Sequence, residues 1–371
     1  VVTLDASTPV SPSFAHAVGA AIASFLAGRR AELAAIGPEL HAMTDRAATF
    51  TSGGKRLRPA FCAWGYAGCA QSLDLPPAVL TAAASLDVLH VSALIHDDVM
   101  DASEARRGLP TAHRQFEADA RATSGRGDPG AFGRAGAILL GDLLLVWSAE
   151  LLENSGLSPV QLAAVRPWVQ AVRTEVTAGQ YLDVLAQSVD PYARTRTASG
   201  IAELEALVSR VVTYKSACYT VERPLHIGAA IAGATSAQLA DFTAFGRPLG
   251  RAFQYRDDLL GVFGDAALTG KESGEDLREG KLTLLAVKTF ANAPDAAARR
   301  FAGVFGRPDL AAEDVDAART IIVESGAEGF VEQAIDAEYA AALRALDAAD
   351  WLGDAREGLA NLARLAVRRA F

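Results

Sequence analysis

Over most of its length this chain repeats apolar residues at three- and four-residue intervals and hardly anywhere alternates apolar with polar. That period fits a helix of 3.6 residues per turn and does not fit a strand. Alanine and leucine, the residues that lose least on entering a helix, are abundant. The pattern predicts an all-α fold with helices near 12–36, 38–50, 55–70, 76–102, 132–154, 158–188, 200–233, 236–264, 281–292, 311–324, 327–349 and 354–370. Half of the 371 residues are hydrophobic, enough for a large core. Glycine-rich punctuation falls at "TSGGKRLRP" (51–59), "TSGRGDPGAFG" (123–133) and "GDAALTGKESGED" (264–276). The second of these reads as a flexible insertion over about 122–134. No period of 20–50 residues recurs, so a solenoid is not expected.

Charge narrows the function. Against 35 basic residues stand 44 acidic ones, a net charge of −9. Such a chain lacks the basic surface that nucleic-acid binding needs, and the basic clusters it does carry gain meaning. Cys62, Cys69 and Cys218 form no metal-ligand spacing and are an odd number, so buried thiols in a reducing cytoplasm are expected. The opening "VVTLDASTPVSPSFAHAVG" has no basic segment before its first apolar run, so no signal peptide is read there. "AGAILLGDLLLVWSAELL" comes nearest to a membrane span, but Asp142 interrupts it and no stable membrane insertion is expected.

The most demanding local feature is "LIHDDVMD" (94–101), which puts Asp97, Asp98 and Asp101 into an apolar setting. On a helix Asp97 and Asp101 share a face, Asp98 lies on its shoulder, and His90 and Ala93 fall toward the same face further back. An arbitrary DDxxD is as often an exposed acidic helix end as a site. The apolar flanks argue that part of this one faces an interior cleft, where carboxylates need cations. Mg²⁺ suits them, because it takes one or two carboxylates and completes its shell with water and phosphate oxygens. A second pair, Asp257 and Asp258 in "FQYRDDLL", follows Gln254 by one turn. Helical bundles build metal sites from such inward carboxylates on facing helices, which favours one large domain. Lys55, Arg56 and Arg58 follow two glycines at a helix start, a position suited to anions. Arg106 and Arg107 follow the first aspartates, Lys215 lies in an apolar helix, and Lys271 and Lys281 follow the second pair. Singly each reads as a solvated surface charge; together they alternate acid pairs with basic patches, as Mg²⁺ and diphosphate require.

The segments "GGKRLRP", "LIHDDVMD…RRGLPTAH", "GDLLL", "GQYLD", "YKSA", "FQYRDDLLGVFGD" and "TGKESGEDLREGKLT", in that order, resemble the trans-isoprenyl diphosphate synthases, the polyprenyl synthetase family. The resemblance runs from about residue 50 to 285 and is nearest to bacterial geranylgeranyl diphosphate synthases. It implies a single all-α domain over 1–371, a helical bundle of the isoprenoid synthase type with a central substrate cavity. It also implies a cytoplasmic homodimer using Mg²⁺, with three ions per site. By the family's pattern Asp97, Asp101 and Asp257 hold the metal, and Arg106, Lys215, Gln254, Lys271 and Lys281 face the allylic diphosphate. Ser216 stands beside Lys215 where many members have threonine. Lys55, Arg58, His90 and Arg107 face isopentenyl diphosphate. Asp142 is expected to be structural, Asp183 to support the site, and His96 to pack behind it. Gly261 departs from the pattern, since many members carry a third aspartate there.

The resemblance also implies a gauge of product length upstream of the first aspartates. Ser92 and Ala93 are small, so a short stop is not expected at that level, whereas Leu89 or Leu86 would close the pocket one or two turns deeper. One isopentenyl unit is about as long as one helical turn of ~5.4 Å, which points to a twenty-carbon geranylgeranyl product. A longer polyprenyl product is the alternative. A terpene cyclase would not need "GGKRLRP", His90 and Arg107, and a non-catalytic subunit of a heteromeric synthase would be free to lose aspartates or basic residues. Here only position 261 differs.

Overall fold

The computed structural model describes residues 2–106, 108–123, 126–264 and 274–368. Helices α1 (Pro12–Ile36), α2 (His41–Thr51), α3 (Leu57–Ala70), α4 (Pro77–Met100), α5 (Ala112–Ala122) and α6 (Pro129–Glu153) come first. They are followed by α7 (Pro159–Gln187), α8 (Pro191–Arg194) and α9 (Ala198–Val211). A π-helical stretch, Val212–Glu222, leads into α10 (Arg223–Ile231) and then α11 (Ser236–Phe263). Beyond these lie α12 (Glu275–Glu279), α13 (Leu284–Asn292), α14 (Asp295–Val304), α15 (Ala312–Glu324), α16 (Ala327–Ala348) and α17 (Ala355–Val367). Short 3₁₀ turns at Pro38–Leu40 and Asp350–Leu352 and two short antiparallel ladders are also present. β1 (Val2–Thr3) pairs with β2 (Asp74–Leu75), and β3 (Ala105–Arg106) with β4 (Leu109–Pro110).

Helices at 12–36 and 236–264 form within a residue of their expected ends, because both carry a long apolar stripe. The insertion expected over about 122–134 is corrected in its C-terminal part. Asp128 caps α6 by accepting from the backbone N–H groups of Gly130 (3.0 Å) and Ala131 (3.1 Å), with Pro129 at the first helical position. Residues 129–134 are therefore helix. The periodicity also passed over α5, whose sequence "AHRQFEADARA" is mostly polar and whose buried side includes His113 and Glu117 beside Ala112 and Phe116.

The chain divides into two compact units. The first comprises Val1–Trp168, Pro224–Leu239 and Asp350–Leu362. Its core is built around α4, which is apolar nearly all round and buries Val79, Ala82, Ala83, Leu86, Val88, Leu89, Val91 and Ile95. Helices α1, α3 and α6 pack on it. Trp64 is wholly buried and donates its indole N–H to the Pro9 carbonyl at 2.9 Å, while Asn361 donates to the Ala6 carbonyl at 2.7 Å. Cys62 is buried in this core and Cys69 half-buried; burial pushes both thiols up to about 12. Among the described residues two helices, α4 and α6, are long and apolar enough to cross a membrane by length and composition. Their windows are 67% and 44% buried within the protein.

The second unit comprises Val169–Arg223, Ala240–Ala349 and Ala363–Phe371. Its core includes Phe242, Phe245, Phe290 and Phe301, with the rings of Phe290 and Phe301 4.8 Å apart. Cys218 is buried beside Glu222, and desolvation pushes its thiol up to about 12. Glu222 itself is fully buried at the end of the π-helical stretch. It accepts from Arg247 Nε (2.8 Å), Arg247 Nη2 (2.9 Å) and Arg223 Nη1 (3.0 Å), and Arg223 also grips Glu175 at 2.6 and 2.8 Å. A buried charge bound this fully is tolerated and fixes one arrangement of the segments that supply it.

In the first unit the loop before α3 is held by a comparable device. Arg56 takes a left-handed backbone conformation (φ 49°), uncommon outside glycine. Its buried guanidinium pairs with the buried Asp87 of α4 and donates to the Thr51 carbonyl at 2.8 Å. Removing one partner of such a pair strands the other charge, at a cost of about 3–5 kcal/mol. Asp87→Ala should lower the stability of the protein by that order, measured by denaturant unfolding; a change below about 1 kcal/mol would contradict the pairing.

Candidate active site

In the first unit the acidic motif occupies the last turn of α4. Asp101 donates its N–H to the Asp97 carbonyl (2.9 Å), Ala102 turns left-handed (φ 53°), and Ser103 N–H closes on the Asp98 carbonyl (3.0 Å). This is a helix-ending motif that usually employs glycine. Three carboxylates thus sit at the end where the helix dipole is already negative, the less favourable end for an anion. Asp97 and Asp101 are half-buried and Asp98 is buried. The hairpin of β3 and β4 turns the chain back so that Arg106 reaches them. Its Nε and Nη2 lie 2.6 and 2.5 Å from Asp98 Oδ1, and Nη2 lies 3.8 Å from Asp97 Oδ2. The buried acid is therefore the shoulder residue Asp98, and an arginine balances it. The same arginine stands beside Asp97, so its expected place near a diphosphate is compatible with this pairing. Arg107 lies outside the described residues.

Lys55 is exposed and Arg58 half-buried on either side of the pinned Arg56. His90 is half-buried on α4, two turns before Asp97. Of the residues expected to set product length, Leu89 is buried and Ala93 half-buried. Ser92 does not face open space: it is buried, and its hydroxyl donates to the Gly141 carbonyl of α6 at 2.7 Å. Its hydroxyl is thus directed toward α6. His96, one turn on, sits 3.2 Å from the Ile138 carbonyl and 3.3 Å from Asp142 of the same helix, a packing role as expected. A cavity of about 190 Å³ opens along the adjacent stripe of α4, lined by Val91, Leu94, Ile95 and Asp98 with Phe50 and Arg106.

The second unit carries the other group. Lys215 and Ser216 lie in the π-helical stretch, whose wider turn shifts side chains off the α-helical register. The backbone of α7 lies against it at Gly179, where a Cβ would overlap the backbone of Tyr214 and Lys215. One turn beyond Gly179, the buried Asp183 receives Lys215 Nζ at 2.6 Å. "GQYLD" therefore supplies both the space and the counter-ion, which agrees with the supporting role expected of Asp183. On α11, Gln254 donates to Asp258 Oδ1 at 2.7 Å; Asp258 is buried and Asp257 exposed. Lys281 Nζ is 4.0 Å from Asp276, a buried carboxylate that the sequence reading did not single out. Lys271 lies outside the described residues.

Among the described residues no three His, Cys, Asp or Glu side chains converge to hold a metal ion by themselves. Each unit instead offers hard oxygen donors that are partly open: Asp97 and Asp101 in one, Asp257 in the other. Such donors fit Mg²⁺, which keeps waters and draws its remaining oxygens from phosphates. They fit a thiolate- or imidazole-seeking metal poorly.

Comparison with known proteins agrees with this arrangement. A polyprenyl synthetase family model matches residues 40–322. The chain belongs to the polyprenyl synthetase family. It is 30% identical over 281 residues to the geranylgeranyl diphosphate synthase of Methanosarcina mazei, covering 76% of this chain and 75% of that protein. It is 32% identical over 287 residues to the geranylfarnesyl diphosphate synthase of Aeropyrum pernix, covering 76% and 79%. A geranylgeranyl pyrophosphate synthase from Corynebacterium glutamicum, solved with isoprenyl diphosphate and magnesium, superposes with a TM-score of 0.90 at 38% identity, over 99% of this chain and 100% of that one. The fold is the all-α helical bundle of the isoprenoid synthase type.

Burial pushes Asp258 up to about 7, with Asp276 and Asp257 adding to the effect while Lys281 and the Gln254 hydrogen bond oppose it. An acid whose pKa is raised in the folded state favours folding below its unfolded value, near 4, and loses that contribution as pH rises toward 7. In metal-free protein, Asp258→Asn should therefore gain stability relative to wild type as pH rises from about 4 to 8. A difference in thermal midpoint that stays constant across that range would contradict the assignment.

Proposed function

We propose that this protein is a trans-prenyltransferase that condenses isopentenyl diphosphate with an allylic diphosphate, with geranylgeranyl diphosphate as its product. The observation that carries the reading is the company kept by the aspartates. In a chain of this family, each acidic pair near a helix C-terminus has basic or amide side chains beside it: Arg106 in one unit, Gln254 and Lys281 in the other. The relatives differ in the product their names give, so product length rests on Ala93 and the deeper Leu89 and Leu86 of α4, with a longer chain as the alternative.

In this reading Asp97, Asp101 and Asp257 hold Mg²⁺, three ions per site. The chemistry bound Mg²⁺ supplies is charge neutralisation on the leaving diphosphate. Arg106, Lys215, Gln254, Lys271 and Lys281 bind and orient the allylic diphosphate, with Ser216 beside Lys215. Asp183 fixes the direction of the Lys215 ammonium. Lys55, Arg58, His90 and Arg107 bind isopentenyl diphosphate, the arginines through their bidentate forks. Arg56 and Asp87 hold the junction at which Lys55 projects from the loop and Arg58 from the first turn of α3. The allylic C–O bond breaks with its electron pair going to the diphosphate. The isopentenyl double bond then attacks the allylic carbon, and the released diphosphate takes the proton that restores a double bond. No protein nucleophile is needed; positioning and electrostatics carry the rate.

We further propose that residues 1–371 act as one isoprenoid synthase domain in a cytoplasmic homodimer without stable membrane insertion. The outward stripe Phe132, Leu139 and Val146 on α6, spaced by seven residues and exposed, supports a second copy as its partner. Light scattering on the purified protein should give twice the chain mass, and a monomer at micromolar concentration would oppose this.

Incubation with isopentenyl diphosphate, an allylic primer and Mg²⁺ should yield a chain-extended, twenty-carbon diphosphate. Pyrophosphate release without elongation would favour a cyclase, and no turnover by the pure chain a non-catalytic subunit. Asp97→Ala should cut turnover by about a hundredfold or more without unfolding the protein. Wild-type turnover in that variant would remove Asp97 from the site.

A further inference from the structure

The π-helical stretch Val212–Glu222 meets α11 through residues whose spacing is not that of an α-helix. Thr213 accepts from Arg251 Nε at 3.3 Å. At Ala217 the two backbones come together, for a Cβ on Gly250 would overlap the Ala217 Cα and carbonyl oxygen. Glu222 takes the fork of Arg247 at 2.8 and 2.9 Å. Arg247, Gly250 and Arg251 share one face of an ordinary helix. Their partners Thr213, Ala217 and Glu222 are spaced by four and then five residues, and all are buried. Nine residues of α-helix make about two and a half turns, which would put Glu222 on the side away from Thr213. Winding with i→i+5 bonds takes more residues into each turn, so two turns bring Glu222 back to the face of Thr213. The tie between Glu222 and Arg247 is thus made in the π register and lost in the α register.

The same stretch is tied to α7 at both ends. Near its start Lys215 meets Asp183, and just past its end Arg223 meets Glu175. Arg223 also donates to Glu222 at 3.0 Å, so one buried node joins the far end of the stretch to α7 and α11 together. A π-helical run of 11 residues is uncommon and needs holding. Lys215 lies inside it, so the direction of its ammonium depends on the winding that the node preserves. Arg247 itself is half-buried and lies two turns before Gln254.

We propose that Arg247 is a positioning residue for Lys215. By holding Glu222 against α11 it keeps residues 212–222 in the π register, and that register sets the direction of the Lys215 ammonium toward Asp183. Without this tie the stretch rewinds toward α and turns Lys215 away from Asp183. The consequence for catalysis rests on the reading given under Proposed function, in which Lys215 binds the allylic diphosphate.

The test uses Arg247→Met, which leaves Glu222 paired with Arg223. Labelling with acetic anhydride, read by mass spectrometry, reports the Lys215 amine directly, with Lys288 as the internal reference. Lys215 should react about threefold or more faster in the variant than in wild type, because an ammonium released from its carboxylate gives up its proton more readily. An unchanged labelling ratio would overturn the proposal, whatever reaction the protein performs. In steady-state elongation the KM for the allylic diphosphate should rise about tenfold, with the KM for isopentenyl diphosphate staying within about twofold of wild type. In a Lys215→Ala background the same substitution should change the allylic KM by less than about twofold, since the group it acts through is gone. An undiminished effect in that background, or an equal rise in both KM values, would overturn the proposal and leave Arg247 as a brace of the fold. Arg247→Lys keeps the charge without the fork and should fall between Arg247→Met and wild type in both readouts. Faster labelling of Lys215 in a protein whose wild type elongates nothing would uphold the register role and remove the functional reading instead.

Discussion

Placing aspartates at the C-terminal end of a helix is electrostatically unfavourable, and this chain does it at α4 and sets a second pair close to the end of α11. Asp97, Asp98 and Asp101 close α4, and Asp257 and Asp258 fall in the last two turns of α11. At that end the unpaired carbonyls already present partial negative charge. The arrangement persists because cations and donors are brought to it. Arg106 comes from a hairpin, Gln254 from one turn earlier on the same helix, and Lys281 from the end of a short helix. These groups balance the buried acids, Asp98 and Asp258, and leave Asp97, Asp101 and Asp257 more open. A division follows, in which the buried member of each pair is paired within the protein and the open member is the one to which the proposed reaction assigns the metal-bound diphosphate.

The rest of each unit holds further basic segments in place. In the first, the Arg56–Asp87 pair holds the glycine-rich loop against α4. In the second, Asp183 holds Lys215, and the Glu222, Arg223, Glu175 and Arg247 network fastens the far end of the π-helical stretch that carries it. Buried ionic groups of this kind contribute little net stability, because desolvation offsets their attraction. They do exclude alternative placements, which is what a site acting by preorganised charge needs.

Much of this was legible in the sequence, for reasons that can be named. Long apolar stripes gave α1, α7 and α11 to within a residue or two. The order of the motifs pointed to the family and to the residues expected at the site. What escaped depends on contacts between distant positions. Three neighbouring basic residues look alike in "GGKRLRP", and only the fold shows Arg56 turned inward on Asp87. Ser92 is small whichever way it points, and its bond to Gly141 sets its direction toward α6. The π-helical register around Lys215 arises where α7 comes close at Gly179, which no periodicity reveals. Asp276 was hidden because what places it beside the second acidic pair is its contact with the backbone at Gly261, fifteen positions earlier. The start of α6 was misplaced because Gly130 and Gly133 read as loop, whereas the Asp128 cap makes them helix.

The central claim is that the open carboxylates engage diphosphate through a divalent cation and not directly. Calorimetric titration of pyrophosphate into the wild-type protein, with and without Mg²⁺, tests this most directly. The account predicts binding at least about a hundredfold tighter with Mg²⁺, since without it Asp97, Asp101 and Asp257 repel the ligand. Equal affinity in the two titrations would contradict it.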